Sequence, residues 1–240
     1  MNGPARAPYD ESPARLDLRP IPAQEPWAGL QTDCLELIAR GDLVTGIRAR
    51  PASPGAESTG GPAAALLLLH DAGSHASGSE WRRVAAWLAR GPHAFALDLP
   101  LHGRRSSAKL SERLIAGLAS LERGLPLDRN GEALVEEALR QARCDVARLL
   151  DGVLAMEDVD PKRVGLVAVG FGARVAEMLL AEDARPCAAV LIRDANAVVG
   201  AAMRDETESA STAVLRLEAR RGATDWSEAA EAYLGSRIGF

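Results

Sequence analysis

At 240 residues, with 47% hydrophobic and 25% charged side chains, the chain has the size and balance of one globular domain. A net charge of −5, with arginines scattered and no basic stripe, argues against a nucleic-acid or anionic-membrane partner. No stretch approaches the ~18 consecutive apolar residues of a membrane span, and MNGPARAPYDESPARL has no apolar centre for a signal peptide.

The three cysteines, Cys34, Cys144 and Cys187, are odd in number and widely spaced. They predict reduced thiols in a cytoplasm rather than a disulfide framework. Lysine occurs only at Lys109 and Lys162, a codon-composition bias that points to a bacterial source.

Residues 1–33 carry Pro4, Pro8, Pro13, Pro20, Pro22 and Pro26 among small and charged residues. Such a segment makes no regular helix or central strand, so a proline-rich N-terminal arm is expected, followed by one domain over 34–240. CLELIARGDLVTGIRARP reads as two antiparallel strands joined at Gly41-Asp42. A turn-rich loop fills 51–62. Ala63 to Leu69 is an apolar strand running into His70-Asp71-Ala72-Gly73. Glu80 to Arg90 has helical spacing, and Ala94 to Leu99 is a second apolar strand, closed by Pro100-Leu101-His102-Gly103. Apolar strands alternating with helices predict a mostly parallel sheet with helices on both faces.

Residues 104–131 interrupt that rhythm with a helical insertion, on the spacing of Leu110, Leu114, Ile115, Leu118 and Leu121. A long helix follows over Ala133 to Met156. Val164 to Val169 is a buried strand that runs straight into Gly170-Phe171-Gly172 and a helix over Ala173 to Ala181. Ala188 to Ile192 and Thr212 to Glu218 complete the strands, and Ser227 to Ile238 is the closing helix. Residues 195–210 show no decisive pattern.

In this order, LLLLHDAG, ALDLPLHGRR and DPKRVGLVAVGFGARVA resemble the α/β-hydrolase superfamily, in particular its dienelactone-hydrolase-like and acyl-peptidase-like serine hydrolases. The resemblance implies an α/β-hydrolase fold and a place for each part of a catalytic triad. Ala168-Val169-Gly170-Phe171-Gly172 stands where the family has G-x-S-x-G, so the nucleophile position is Gly170. The implied oxyanion donors are the N–H of Phe171 and that of Asp71 or Ala72. RLEARRGATDW places Arg221 where the family carries its late histidine, and a guanidinium cannot serve as a general base. All four histidines, His70, His75, His93 and His102, precede the elbow. Asp194 and Asp225 lie near the place of the acid.

Two missing triad members predict a protein that has lost hydrolytic activity. The retained crevice, with His70, Ser74 and His102 as pocket candidates, would take a small acyl or carboxylate ligand. No cofactor is implied, and no paired His/Cys spacing supports a metal. Two other readings stay open. One is an ester, thioester or peptide hydrolase using Ser74 or Ser77 with His70, His75 or His102. The other is an interaction module built on the arm and the 104–131 insertion. The oligomeric state is not legible.

Overall fold

The computed structural model describes residues 14–52, 61–88, 91–194, 204–209, 212–219 and 226–239. Among the described residues nine strands form one sheet: β1 (Asp17–Ile21), β2 (Leu30–Ala39), β3 (Asp42–Pro51), β4 (Ala63–Leu69), β5 (His93–Leu97), β6 (Val159–Val169), β7 (Ala188–Asp194), β8 (Arg204–Ser209) and β9 (Thr212–Ala219). Their spatial order is β1-β2-β3-β5-β4-β6-β7-β9-β8. The five central strands, β5-β4-β6-β7-β9, run parallel. Antiparallel pairings extend both edges. This is the mixed α/β architecture that the alternating strand and helix segments predicted.

The helices are α1 (Arg82–Leu88), α2 (Ala108–Glu122), α3 (Arg129–Leu154), α4 (Phe171–Leu180) and α5 (Trp226–Ile238). In the central strands successive side chains point to opposite faces, so one apolar run feeds two cores. On β4, Leu67 and Leu69 join the core under α2, α3 and α4. Leu66 and Leu68 join the one under α1 and α5. All four leucines are fully buried, and each such burial stabilises the fold by about 1.5–3 kcal/mol.

Two local outcomes go beyond the sequence pattern. The proline-rich segment contributes Asp17–Ile21 as an edge strand paired with β2, where Pro20 needs no N–H partner, and Trp27 is buried. The long helix begins at Arg129, earlier than the apolar spacing suggested, because the Asp128 side chain accepts the Gly131 N–H and caps it. Within the inserted segment, α2 packs Leu114 and Leu118 into the core.

The strand order fixes where a ligand crevice can lie. From β4 the chain goes to β5 on one side and later to β6 on the other, so the sheet has its switch point at β4. The carboxyl ends of β4, β5 and β6 therefore meet where a sheet of this order places its ligand crevice. They carry His70-Asp71-Ala72, Pro100-Leu101-His102 and Gly170-Phe171.

Candidate functional site

At the end of β6 the chain turns sharply into α4 through Gly170, at φ 51° and ψ −108°. That is the left-handed side of the map, which glycine reaches without strain and other residues do not. Gly170 N–H donates to the Ile192 carbonyl at 2.8 Å, which ties the turn to β7. Gly172 is required for a different reason. A Cβ there would overlap the Leu69 carbonyl oxygen, so only glycine lets α4 lie this close to β4.

The seat above Gly170 is filled from across the crevice. A Cβ on Gly170 would overlap Oδ1 of Asp71, so the Asp71 carboxylate occupies the space of the absent side chain. That same oxygen accepts the Phe171 N–H at 2.9 Å and the Ala72 N–H at 2.7 Å. Two backbone donors 2.7–3.1 Å from one oxygen is the geometry of an oxyanion hole. Here the negative charge in it belongs to the protein itself. Phe171 and Ala72 thus both offer an N–H to this point, while Asp71 enters with its side chain. From the sequence Asp71 was a candidate for its backbone alone; the signal missed was an acid in the turn facing a glycine elbow.

His70 is buried and spent on structure. Its Nδ1 lies 2.8 Å from the Asp71 carbonyl, and its Nε2 accepts the Leu99 N–H at 3.0 Å. Nδ1 must carry the proton for both bonds to form. Burial pushes the His70 pKa down to about 3, so the ring stays neutral. His70 ties the ends of β4 and β5 together and has no nitrogen left for a substrate.

His102 is different. Its Nδ1 lies 2.8 Å from the Pro100 carbonyl, but Nε2 is buried without a hydrogen-bond partner among the described residues. The ring stacks on Phe171 with centroids 5.6 Å apart and meets His70 edge-on at 5.1 Å. Burial lowers its pKa too, opposed by the Pro100 carbonyl and by the nearby Asp71 and Asp98. The neutral ring therefore keeps an acceptor that no donor among the described residues meets.

Asp98, also buried, organises the surrounding loops. Its Oδ1 accepts the Ala76 N–H at 2.9 Å, and its Oδ2 accepts the Thr45 hydroxyl and the Arg104 N–H, both at 3.1 Å. Arg105 donates to the Asp98 carbonyl at 3.0 Å and to the fully buried Asp145 at 2.7 Å. Arg40 reaches the other oxygen of Asp145 at 3.2 Å.

The serine candidates are not brought to a base. The Ser74 backbone N–H donates to the Asp71 carbonyl, and the Ser77 backbone N–H donates to His75 Nδ1. Among the described residues neither hydroxyl is hydrogen-bonded to a histidine. His93 sits at the opposite, amino-terminal end of β5 beside Asp158. Arg221 and Asp225 lie outside the described residues, as does the side chain of Asp194. Cys34, Cys144 and Cys187 are free thiols, and burial pushes the Cys187 pKa up. Among the described residues no three His, Cys, Asp or Glu side chains are placed to hold a metal ion. No described helix is long and apolar enough to cross a membrane.

The pattern of the Alpha/beta hydrolase family matches residues 66–238. The chain belongs to that family. No curated protein matches it. Among solved structures, it is similar to a cold-adapted esterase from an Arctic intertidal metagenomic library, at 25% identity and TM-score 0.50. That match covers 69% of this chain and 61% of the esterase. An acetyl xylan esterase from Paenibacillus sp. R4 matches at 18% identity and TM-score 0.51, over 75% of this chain and 52% of that one. This α/β-hydrolase family member therefore spans less than two thirds of either relative, and the second likeness concerns the fold alone.

Proposed function

We propose that this α/β-hydrolase fold performs no serine-type acyl transfer and keeps its crevice as a ligand site. The single observation behind this reading is Asp71 Oδ1, which takes both oxyanion donors and fills the space above Gly170. An ester carbonyl entering the hole would meet a carboxylate already hydrogen-bonded there, and Gly170 carries no side chain to attack it. A small acyl or carboxylate ligand then gains the two N–H groups only when Asp71 turns away.

The reading predicts no labelling by a fluorophosphonate and no hydrolysis of p-nitrophenyl acetate beyond a heat-denatured control. A stoichiometric phosphonate adduct in the intact mass would refute it.

A second reading, hydrolysis with other groups, draws on the esterase relative at 25% identity and on the unpartnered Nε2 of His102. It requires ester turnover that disappears in His102→Gln or Ser74→Ala. The bacterial, cytoplasmic setting and the absence of nucleic-acid or membrane partners belong to this proposal as well, supported by the composition and charge of the chain.

A further inference from the structure

The turns at the ends of β4, β5 and β6 hold hydrogen-bond donors and one acceptor, and Asp71 answers only the donors. The donors are the pair of N–H groups on Phe171 and Ala72, which converge on a single oxygen. The acceptor is His102. Its Nδ1–H is committed to the Pro100 carbonyl, so Nε2 carries the lone pair. Among the described residues that atom is buried without a partner, in a residue only 3% exposed. The His102 ring stacks on Phe171, whose N–H is one of the two donors. A carboxylate accepts hydrogen bonds and donates none, so Asp71 cannot satisfy Nε2 wherever its second oxygen lies.

We propose that the N–H groups of Phe171 and Ala72, together with Nε2 of His102, form a receptor for a primary carboxamide or carboxylic acid, with Asp71 as its resident internal occupant. The inference rests on the reading of this crevice as a ligand site with no acyl transfer. A carboxamide brings a carbonyl oxygen for the two donors and an adjacent N–H for the imidazole. An undissociated acid brings the same pair. An ester brings only the acceptor and leaves Nε2 buried and unmet, so the receptor selects against esters. Asp71 is tethered one bond away from Ala72, so its effective concentration exceeds the millimolar range of a free small ligand. The wild-type site is therefore closed to weak ligands, and removing the carboxylate opens it.

The test titrates wild type and Asp71→Ala with benzamide and with methyl benzoate by calorimetry, and follows the 15N resonance of His102 Nε2. Benzamide is expected to bind Asp71→Ala at least tenfold tighter than it binds wild type, and at least tenfold tighter than methyl benzoate does. The Nε2 resonance should move with benzamide and not with the ester. Asp71→Gly serves the same purpose if the alanine variant does not fold. Asp71→Asn keeps a carbonyl oxygen tethered at the two donors and should stay closed to benzamide. Equal benzamide affinity in wild type and Asp71→Ala, equal affinity for amide and ester, or an open Asp71→Asn would each overturn the receptor. Turnover of methyl benzoate by wild type would instead overturn the absence of acyl transfer.

Discussion

Asp71 and Gly170 share one volume: the carboxylate oxygen of the first stands where a side chain on the second would begin. Either residue explains the other. A glycine elbow leaves two amide donors facing a gap, and an acid in the opposing turn fills the gap and neutralises the donors.

This sharing predicts strong coupling. Gly170→Ala adds a methyl that overlaps Asp71 and forces a left-handed φ on a residue with a Cβ, at a cost of roughly 2–4 kcal/mol. In an Asp71→Gly background the overlap vanishes and only the backbone strain remains. A double-mutant cycle by urea denaturation should give an interaction energy of about 1–3 kcal/mol. Additive effects would show that the two side-chain positions do not compete.

Building an esterase on this scaffold should take three changes rather than two. Gly170→Ser with Arg221→His should stay inactive toward p-nitrophenyl acetate, because Asp71 still holds the oxyanion donors. Adding Asp71→Gly frees those donors and the space for a serine. Slow turnover above background should appear only in the triple variant. Activity in the double variant would show that Asp71 yields the hole readily.

Acid should destabilise the fold through its buried histidines. Burial holds the His70 pKa at about 3, against roughly 6.5 in an unfolded chain. Between those values the unfolded state binds the extra proton, so stability that is full above ~6.5 falls as the pH drops toward 3. At pH 5 the loss from His70 alone is about 2 kcal/mol. Burial shifts His93 and His102 the same way, so their losses add. Urea midpoints at pH 7.5 and pH 5 measure this, and His70→Gln should flatten the slope. Identical midpoints would contradict neutral burial of His70.

Asp145 pairs with two largely buried guanidinium groups, Arg40 and Arg105, and Arg40 has Asp42 as a more distant second partner at 3.8 Å. Asp145→Ala leaves both without their carboxylate and should cost roughly 3–5 kcal/mol. Asp145→Asn, which keeps an acceptor, should cost less. Because Arg105 also holds the Asp98 carbonyl, amide exchange should rise at 98–105 in the alanine variant. A loss below 1 kcal/mol would mean that water replaces the carboxylate.

The sheet was legible because its strands are continuous apolar runs bounded by turn residues, as in Ala63–Leu69 and Val164–Val169. The glycine elbow was legible from the strand–Gly–helix sequence around Gly170. The edge strand Asp17–Ile21 was not, since its pairing with β2 depends on a tertiary neighbour and its prolines mask any period. Nor was the role of Asp71. Sequence order separates it from Phe171 by a hundred positions, and only the parallel pairing of β4 with β6 brings the two turns together. His70 and His102 look alike in the sequence, each following a strand. What separates them is that a backbone N–H reaches the second nitrogen of His70, while none among the described residues reaches that of His102.

Asp98 joins Thr45, the 74–78 turn and the 103–105 turn through one carboxylate. Both turns are tied to that one carboxylate. Neither loop can shift, lengthen or swap residues without the other feeling it, so any widening of the mouth for a bulkier guest has to move both turns together. In homologues that keep Asp98, changes in the two loops should therefore travel as a pair.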